Sequence, residues 1–194
     1  RMKHTQMEID SASDEELMRL VTRDDIRAFE ELYTRYARRL QGFFFRMLGY
    51  DTAKAEDFTQ ELFLKVYEQR LHFEHSRTFS SWVFAMAYNL CKNEYRHKEV
   101  VEAHEAELNA SPAPSVEPEY ELYHDRLVFD MKLKENLRKL TSEQIVVFAL
   151  RYEEELSIPE IARILSCPEG TVKSRLHYVL KFLSQAMAVY NLKN

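Results

Sequence analysis

The chain has 194 residues, 27 Lys and Arg against 32 Asp and Glu, and a formal net charge of −5. No run approaches the ~20 apolar residues that span a bilayer, no secretory leader is legible, and Cys91 and Cys167 lack paired-ligand spacing. Membrane insertion, a disulfide framework and a zinc finger are therefore not expected, and a cytoplasmic protein is. Three glycines and long proline-free intervals rich in Leu, Glu, Lys, Arg, Ala and Met predict an all-α fold. Because the acidic surplus is local, the prediction is two small helical domains rather than one.

The charge is unevenly spread. Residues 1–98 carry 16 basic and 16 acidic side chains, 99–125 carry 8 acids and no Lys or Arg, and 126–194 carry 11 bases against 8 acids. From Gly170 onward there is no acid at all. Net charge thus understates the capacity of the two flanking parts to meet a polyanion.

In chain order, Ser13 and Glu16 form a capping box that opens a short helix to about residue 21. Asp24 or Asp25 caps a second over 27–48, which stops at Gly49. A third starts at Asp51 or Thr52 and runs to about 69; after the loop 71–81, Ser80 or Ser81 opens a fourth that ends near 98. Arg1 stands ahead of Met2 and is left aside, so the first domain is expected over 2–98.

The stretch 99–118 holds Pro112, Pro114 and Pro118 among small and acidic residues, and reads as a flexible acidic linker between domains. A second domain is expected over 119–194. It begins with a helix over 119–140, followed by a capping box at Thr141 and Gln144 and a helix to about 152. Ser157 and Glu160 repeat the device around Pro159, opening a short helix over 158–165. A turn through Pro168 then leads to a final helix, which completes a helix-turn-helix.

Three patterns point to function. The last helix repeats Val172, Leu176, Val179 and Leu183 as an apolar stripe. Its other side offers Thr171, Ser174, His177, Tyr178 and Lys181, flanked by Lys173 and Arg175, hydrogen-bonding groups near the N-terminus and cations along the length. Such a face suits a helix entering the major groove. In the third helix, Ala55, Phe58, Leu62 and Val66 form the core stripe, while Asp57, Gln60, Glu61 and Leu64 share the outer side, an apolar residue set in an acidic face.

The third pattern spans 73–98. Aromatic Phe73, Phe79, Trp82, Phe84, Tyr88 and Tyr95 alternate with His75, Arg77, Lys92, Arg96, His97 and Lys98, and Asn89 and Asn93 lie one turn apart. Cations, amides and π-faces together are what unstacked bases require, although Trp82 and several neighbours also read as ordinary core.

Taken together, the segments 28–40, 55–67, 79–98 and 140–183 resemble the extracytoplasmic-function (ECF) sigma factors of the sigma-70 family, which confer promoter recognition on bacterial RNA polymerase. The resemblance spans most of 13–183 and puts the linker where that family has one. It implies a region-2 domain before the linker and a region-4 domain after it, with core RNA polymerase and promoter DNA as partners and an anti-sigma factor expected as inhibitor. Asp57, Gln60, Glu61 and Leu64 match the face that docks on the polymerase. Phe73, Glu74, His75, Ser76, Arg77, Asn89, Lys92, Asn93, Arg96 and Lys98 match the elements that capture the minus-ten strand. Glu169, Thr171, Lys173, Ser174, Arg175, His177, Tyr178 and Lys181 match the helix that enters the minus-thirty-five groove.

The chain also departs from the family. Asn93 stands where many members carry aspartate, and Tyr178 and Leu180 where many carry arginine, which implies a weaker phosphate grip or a different preferred sequence. Catalysis, a cofactor and a metal are not expected, because the seven histidines make no HxxxH pair and there is neither a Gly-rich phosphate loop nor a nucleophile elbow. The alternative is a stand-alone helix-turn-helix regulator, which leaves the acidic face and the aromatic-basic segment of the first half without a role. A purely interactional helical protein would show no salt-sensitive affinity for DNA.

Overall fold

The computed structural model describes residues 6–105 and 124–188. Among them are nine α-helices and no strand, an all-α fold as the sequence predicts, with one helix more than the eight expected. The helices are α1 (Gln6–Ser11), α2 (Asp14–Val21), α3 (Ile26–Met47), α4 (Thr52–Glu68), α5 (Phe79–Glu105), α6 (His124–Leu137), α7 (Ser142–Phe148), α8 (Ile158–Leu165) and α9 (Glu169–Ala186). The N-terminal half packs α2, α3, α4 and α5 against one another; the C-terminal half packs α7, α8 and the end of α6 against α9.

Local chemistry sets most boundaries. Ser13 and Glu16 exchange both hydrogen bonds of the predicted capping box. Of the two aspartates offered for α3, Asp25 is the cap and accepts from the Arg27 and Ala28 amides; Asp51 caps α4. Gly49 ends the α3 segment at φ +80°, a conformation that costs glycine little and other residues more. Thr141 with Gln144 and Ser157 with Glu160 complete their boxes.

Four boundaries differ from expectation. The short α1 was not anticipated. The cap of α5 is neither Ser80 nor Ser81 but Thr78, whose Oγ1 accepts from the Ser81 amide at 3.3 Å while the Phe79 amide donates to Glu15. Helix α5 continues to Glu105, so the helical backbone enters the segment read as linker; positions 106–118 lie outside the described residues. Of the helix expected over 119–140, residues 119–123 also lie outside them. After α7 the chain widens into one π turn, Ala149–Glu153, rather than extending the helix.

The core of the N-terminal half is aromatic. Phe43, Phe44, Phe79 and Phe84 are fully buried, with Phe84 edge-on to Phe43 at 5.5 Å between centroids. The core of the C-terminal half is aliphatic, built from Val147, Leu150, Ile161, Val172 and Val179. The two halves also touch: α8 packs against α5 and α7 against α3. Arg39 of α3 pairs with the buried Glu154 at 2.6 Å, and Arg46 pairs with Glu153. Arg138 lies over the Tyr50 ring at 4.8 Å from its centroid.

Candidate nucleic-acid interface

Helix α9 is amphipathic as predicted. Val172, Leu176, Val179 and Leu183 are all buried, which turns the opposite side outward. Glu169, Lys173, Ser174, His177, Tyr178 and Lys181 are exposed; Thr171 and Arg175 are half-buried. Lys173 reaches Glu169 at 3.9 Å, and Ser174 donates to the Thr171 carbonyl. Arg175 is drawn aside to Glu143 at 2.6 Å, so it must exchange a carboxylate for any phosphate or base. Helix α8 precedes α9 through a turn whose Ser166 adopts the left-handed conformation at φ 52°, the tight corner of a helix-turn-helix.

In the N-terminal half, α4 buries Ala55, Leu62 and Val66 and half-buries Phe58. Its outer side presents Asp57, Gln60, Glu61 and Leu64, all exposed, with Leu64 66% open to solvent. A leucine held out among acids is a surface feature that folding of this chain alone does not explain.

The 73–80 loop and α5 form the third face. Glu74, His75 and Ser76 are exposed and Arg77 is half-buried. Along α5, Asn89, Asn93, Arg96 and Lys98 point outward, whereas Lys92 is half-buried with its ammonium 5.8 Å from the Tyr88 ring centre. Phe73 departs from the surface role expected for it: only 5% exposed, its ring lies edge-on to Trp82 at 5.2 Å and to Phe79 at 6.3 Å. A ring held there cannot stack on a base without leaving the core. Its work is to pin the loop, leaving His75, which meets it edge-on at 5.3 Å, at the rim.

The sequence reading missed Thr78. It caps α5, and its hydroxyl also donates to Glu160 Oε1 of α8 at 3.0 Å. The run Thr-Phe-Ser-Ser offers three equivalent cap candidates, and only the Glu15 carboxylate on Phe79 settles which one the helix uses. Tyr88 is likewise more than a core ring. Burial raises its phenol pKa, Glu143 raises it further and Arg175 opposes them, so two groups of the C-terminal half lie in its field.

Among the described residues no group of three or more His, Cys, Asp or Glu side chains could hold a metal ion, and no helix is long and apolar enough to cross a membrane. A helix-turn-helix with a basic outer face, tied to a helical bundle with its own polar faces, defines a helical DNA-binding transcription protein.

Comparison with known proteins narrows this. Residues 32–100 match the model of sigma-70 region 2, and residues 130–183 match that of sigma-70 region 4. The chain is 31% identical to the ECF RNA polymerase sigma factor SigW of Bacillus subtilis, over 81% of this chain and 87% of that one. It is 28% identical to the RNA polymerase sigma-H factor of Pseudomonas aeruginosa, over 90% and 93%. The chain therefore belongs to the sigma-70 family of RNA polymerase sigma factors, in its ECF group.

Solved structures share the fold. CnrH, determined with the cytosolic domain of CnrY, superposes with a TM-score of 0.64 at 20% identity, covering 94% of this chain and 100% of that one. The sigma factor RpoE of Bartonella quintana, determined with the anti-sigma factor NepR, gives 0.68 at 20% identity, covering 83% and 97%.

Proposed function

We propose that the three faces divide promoter recognition among themselves. Asp57, Gln60, Glu61 and Leu64 dock the chain on core RNA polymerase, the acids steering encounter and Leu64 burying apolar surface on arrival. The exposed loop residues Glu74, His75 and Ser76, with half-buried Arg77, hold a base extruded from the minus-ten strand, and Asn89 with Asn93 reads its edge. Lys92, Arg96 and Lys98 meet the flanking phosphates, and Phe73 serves as the loop's anchor. Helix α9 enters the minus-thirty-five major groove with Glu169, Thr171, Lys173, Ser174, Arg175, His177, Tyr178 and Lys181. Glutamate can accept from a cytosine amino group, and Arg or Lys can donate to guanine.

One observation carries the reading: α4 and α9 each turn an apolar stripe into the core and still present an outer face whose composition suits a different partner. Catalysis belongs to the polymerase, not to this chain, and the protein acts in the cytoplasm, where that enzyme works. The matched CnrH and RpoE structures each hold a second protein, NepR being an anti-sigma factor; we extend that to this chain as an expected inhibitory partner.

The test is run-off transcription with bacterial core polymerase on a pooled genomic promoter library, with and without this protein. New start sites preceded by two shared sequence elements are expected. If core polymerase is neither bound nor redirected, the stand-alone helix-turn-helix regulator takes its place.

A further inference from the structure

The 73–80 loop stands on two buried rings. Phe73 and Phe79 are 5% and 0% exposed and their centroids lie 6.3 Å apart, so the chain between them is held at both ends. Within it the Arg77 amide donates to the Glu74 carbonyl, closing a turn on which Glu74, His75 and Ser76 are exposed.

The first foot, Phe73, rests on Trp82 nearby in sequence. The second is held from far away. The Phe79 amide opens α5 and, as the first N–H of that helix, has no partner within it. Its acceptor is Glu15 Oε1 at 2.8 Å, a carboxylate 64 positions earlier on α2. The adjacent Asp14 supports the same foot through a ring: it accepts from the Tyr36 hydroxyl, and Tyr36 meets Phe79 edge-on at 4.9 Å. Burial raises the Tyr36 phenol pKa and Asp14 raises it further, so this hydroxyl stays a donor at neutral pH. Arg35 holds Asp14 at 2.9 Å and donates to the Ala12 and Asp10 carbonyls, which ties α1 and α2 to α3.

Three consecutive acids, Asp14, Glu15 and Glu16, suit the first turn of α2 through the helix dipole. Glu16 serves that turn in the Ser13 box, whereas Asp14 and Glu15 reach out of their helix to the second foot of the loop. Helix α2 also lies ahead of residues 32–100, the part that matches the sigma-70 region 2 model.

We propose that α2 belongs to the minus-ten apparatus: Glu15 is a positioning residue that, through the Phe79 amide, holds the base-capture loop in one geometry, with Asp14 and Tyr36 as its support. The inference rests on the promoter-recognition reading above for what the loop captures, but not for the order of the loop. Its consequence is accuracy rather than grip. A loop held in one geometry penalises the wrong base, whereas a loop released at one foot settles around several.

The experiment uses the full chain and four variants. Glu15→Ala removes the acceptor, and Glu15→Gln keeps an oxygen for the Phe79 amide. Tyr36→Phe keeps the ring and removes only its bond to Asp14. Asp51→Ala removes the cap of α4, a loss of the same kind away from the loop. Amide hydrogen exchange followed by NMR on the free protein reads the anchor. Phe79 should exchange about fivefold faster in Glu15→Ala, the equivalent of one lost cap, and near the wild-type rate in Glu15→Gln and Asp51→Ala. Run-off transcription with core polymerase, on a responding promoter with each minus-ten base randomised in turn, reads accuracy. Glu15→Ala should lose about fivefold in discrimination between the preferred base and the others, Glu15→Gln should restore it, and Asp51→Ala should lower yield on all templates alike. Tyr36→Phe should move both readings in the direction of Glu15→Ala by a smaller factor, and it decides them if Glu15→Ala loses its helical circular-dichroism signal.

Unchanged Phe79 exchange in Glu15→Ala, or equal acceleration in Asp51→Ala, overturns the anchor. Faster exchange with undiminished discrimination overturns the role in reading and leaves a structural contact. If the wild type redirects core polymerase to no promoter, the promoter-recognition reading falls and takes the role in reading with it, while the exchange result stands by itself.

Discussion

The two halves bury different materials beneath their recognition faces. In region 2, α5 contributes Phe79, Trp82 and Phe84 to an aromatic core in which Phe84 meets Phe43 and Trp82 meets Phe73 edge-on. In region 4, α9 contributes Val172 and Val179 to a core shared with Leu150 and Ile161, with no ring among the fully buried residues of the described part of this half. Large rings fix one another's orientation and bury more surface per residue than branched aliphatics. The half proposed to hold an opened strand thus has the stiffer backing, since such a strand brings no regular shape of its own. The half proposed to read a duplex needs only a straight helix.

Removing a ring should have the largest effect. Phe84→Ala should cost about 3–5 kcal/mol, and urea unfolding followed by the fluorescence of Trp82, the sole tryptophan, should register it directly. Ile161→Ala in the other half should cost about 2–5 kcal/mol. It should move the circular-dichroism midpoint more than the Trp82 midpoint. Equal shifts by both probes would mean that the halves unfold as one unit and that the difference in materials has no mechanical meaning.

A smaller effect probes the light construction of region 4. Ser157→Ala removes an N-cap and should cost about 1 kcal/mol, read as the same midpoint shift. The smallest test compares the two cysteines. Burial pushes the Cys91 thiol in the aromatic core up to about 12, whereas Cys167 sits half-buried in the helix-turn-helix corner. Because the thiolate is the nucleophile, iodoacetamide at pH 8 should modify Cys167 well before Cys91, as read by mass spectrometry. Equal rates would show that the region-2 core opens as readily as the turn.

Much of this was legible in the sequence because the information was local. Ser13 with Glu16, Thr141 with Gln144 and Ser157 with Glu160 each settle a helix start within four residues, and the α9 stripe settles which side is buried. The acidic face of α4 is legible for the same reason, since helical spacing alone separates Leu64 from Leu62. What was not legible depends on distant partners. Phe73 reads as an aromatic among cations until Trp82 and Phe79 are seen to close over it. The Arg39–Glu154 pair joins residues 115 positions apart, and no periodicity links them. Thr78 could not be preferred over Ser80 or Ser81 without Glu15, and the π turn follows from how α7 meets its surroundings rather than from its own propensity.

Glu160 carries two duties on one carboxylate. Its Oε2 accepts from the Ser157 amide and hydroxyl, holding the first turn of α8, while its Oε1 accepts from Thr78 across the boundary between the halves. The two duties are thermodynamically reciprocal: whatever steadies that first turn also steadies the crossing, and releasing the crossing frees the first turn to fray. Amide exchange at Glu160 and Ile161 is therefore a reporter built into the chain, slow while the Thr78 contact holds and faster once it is lost. A substitution at Glu160 will always change both quantities together, so neither can drift without the other.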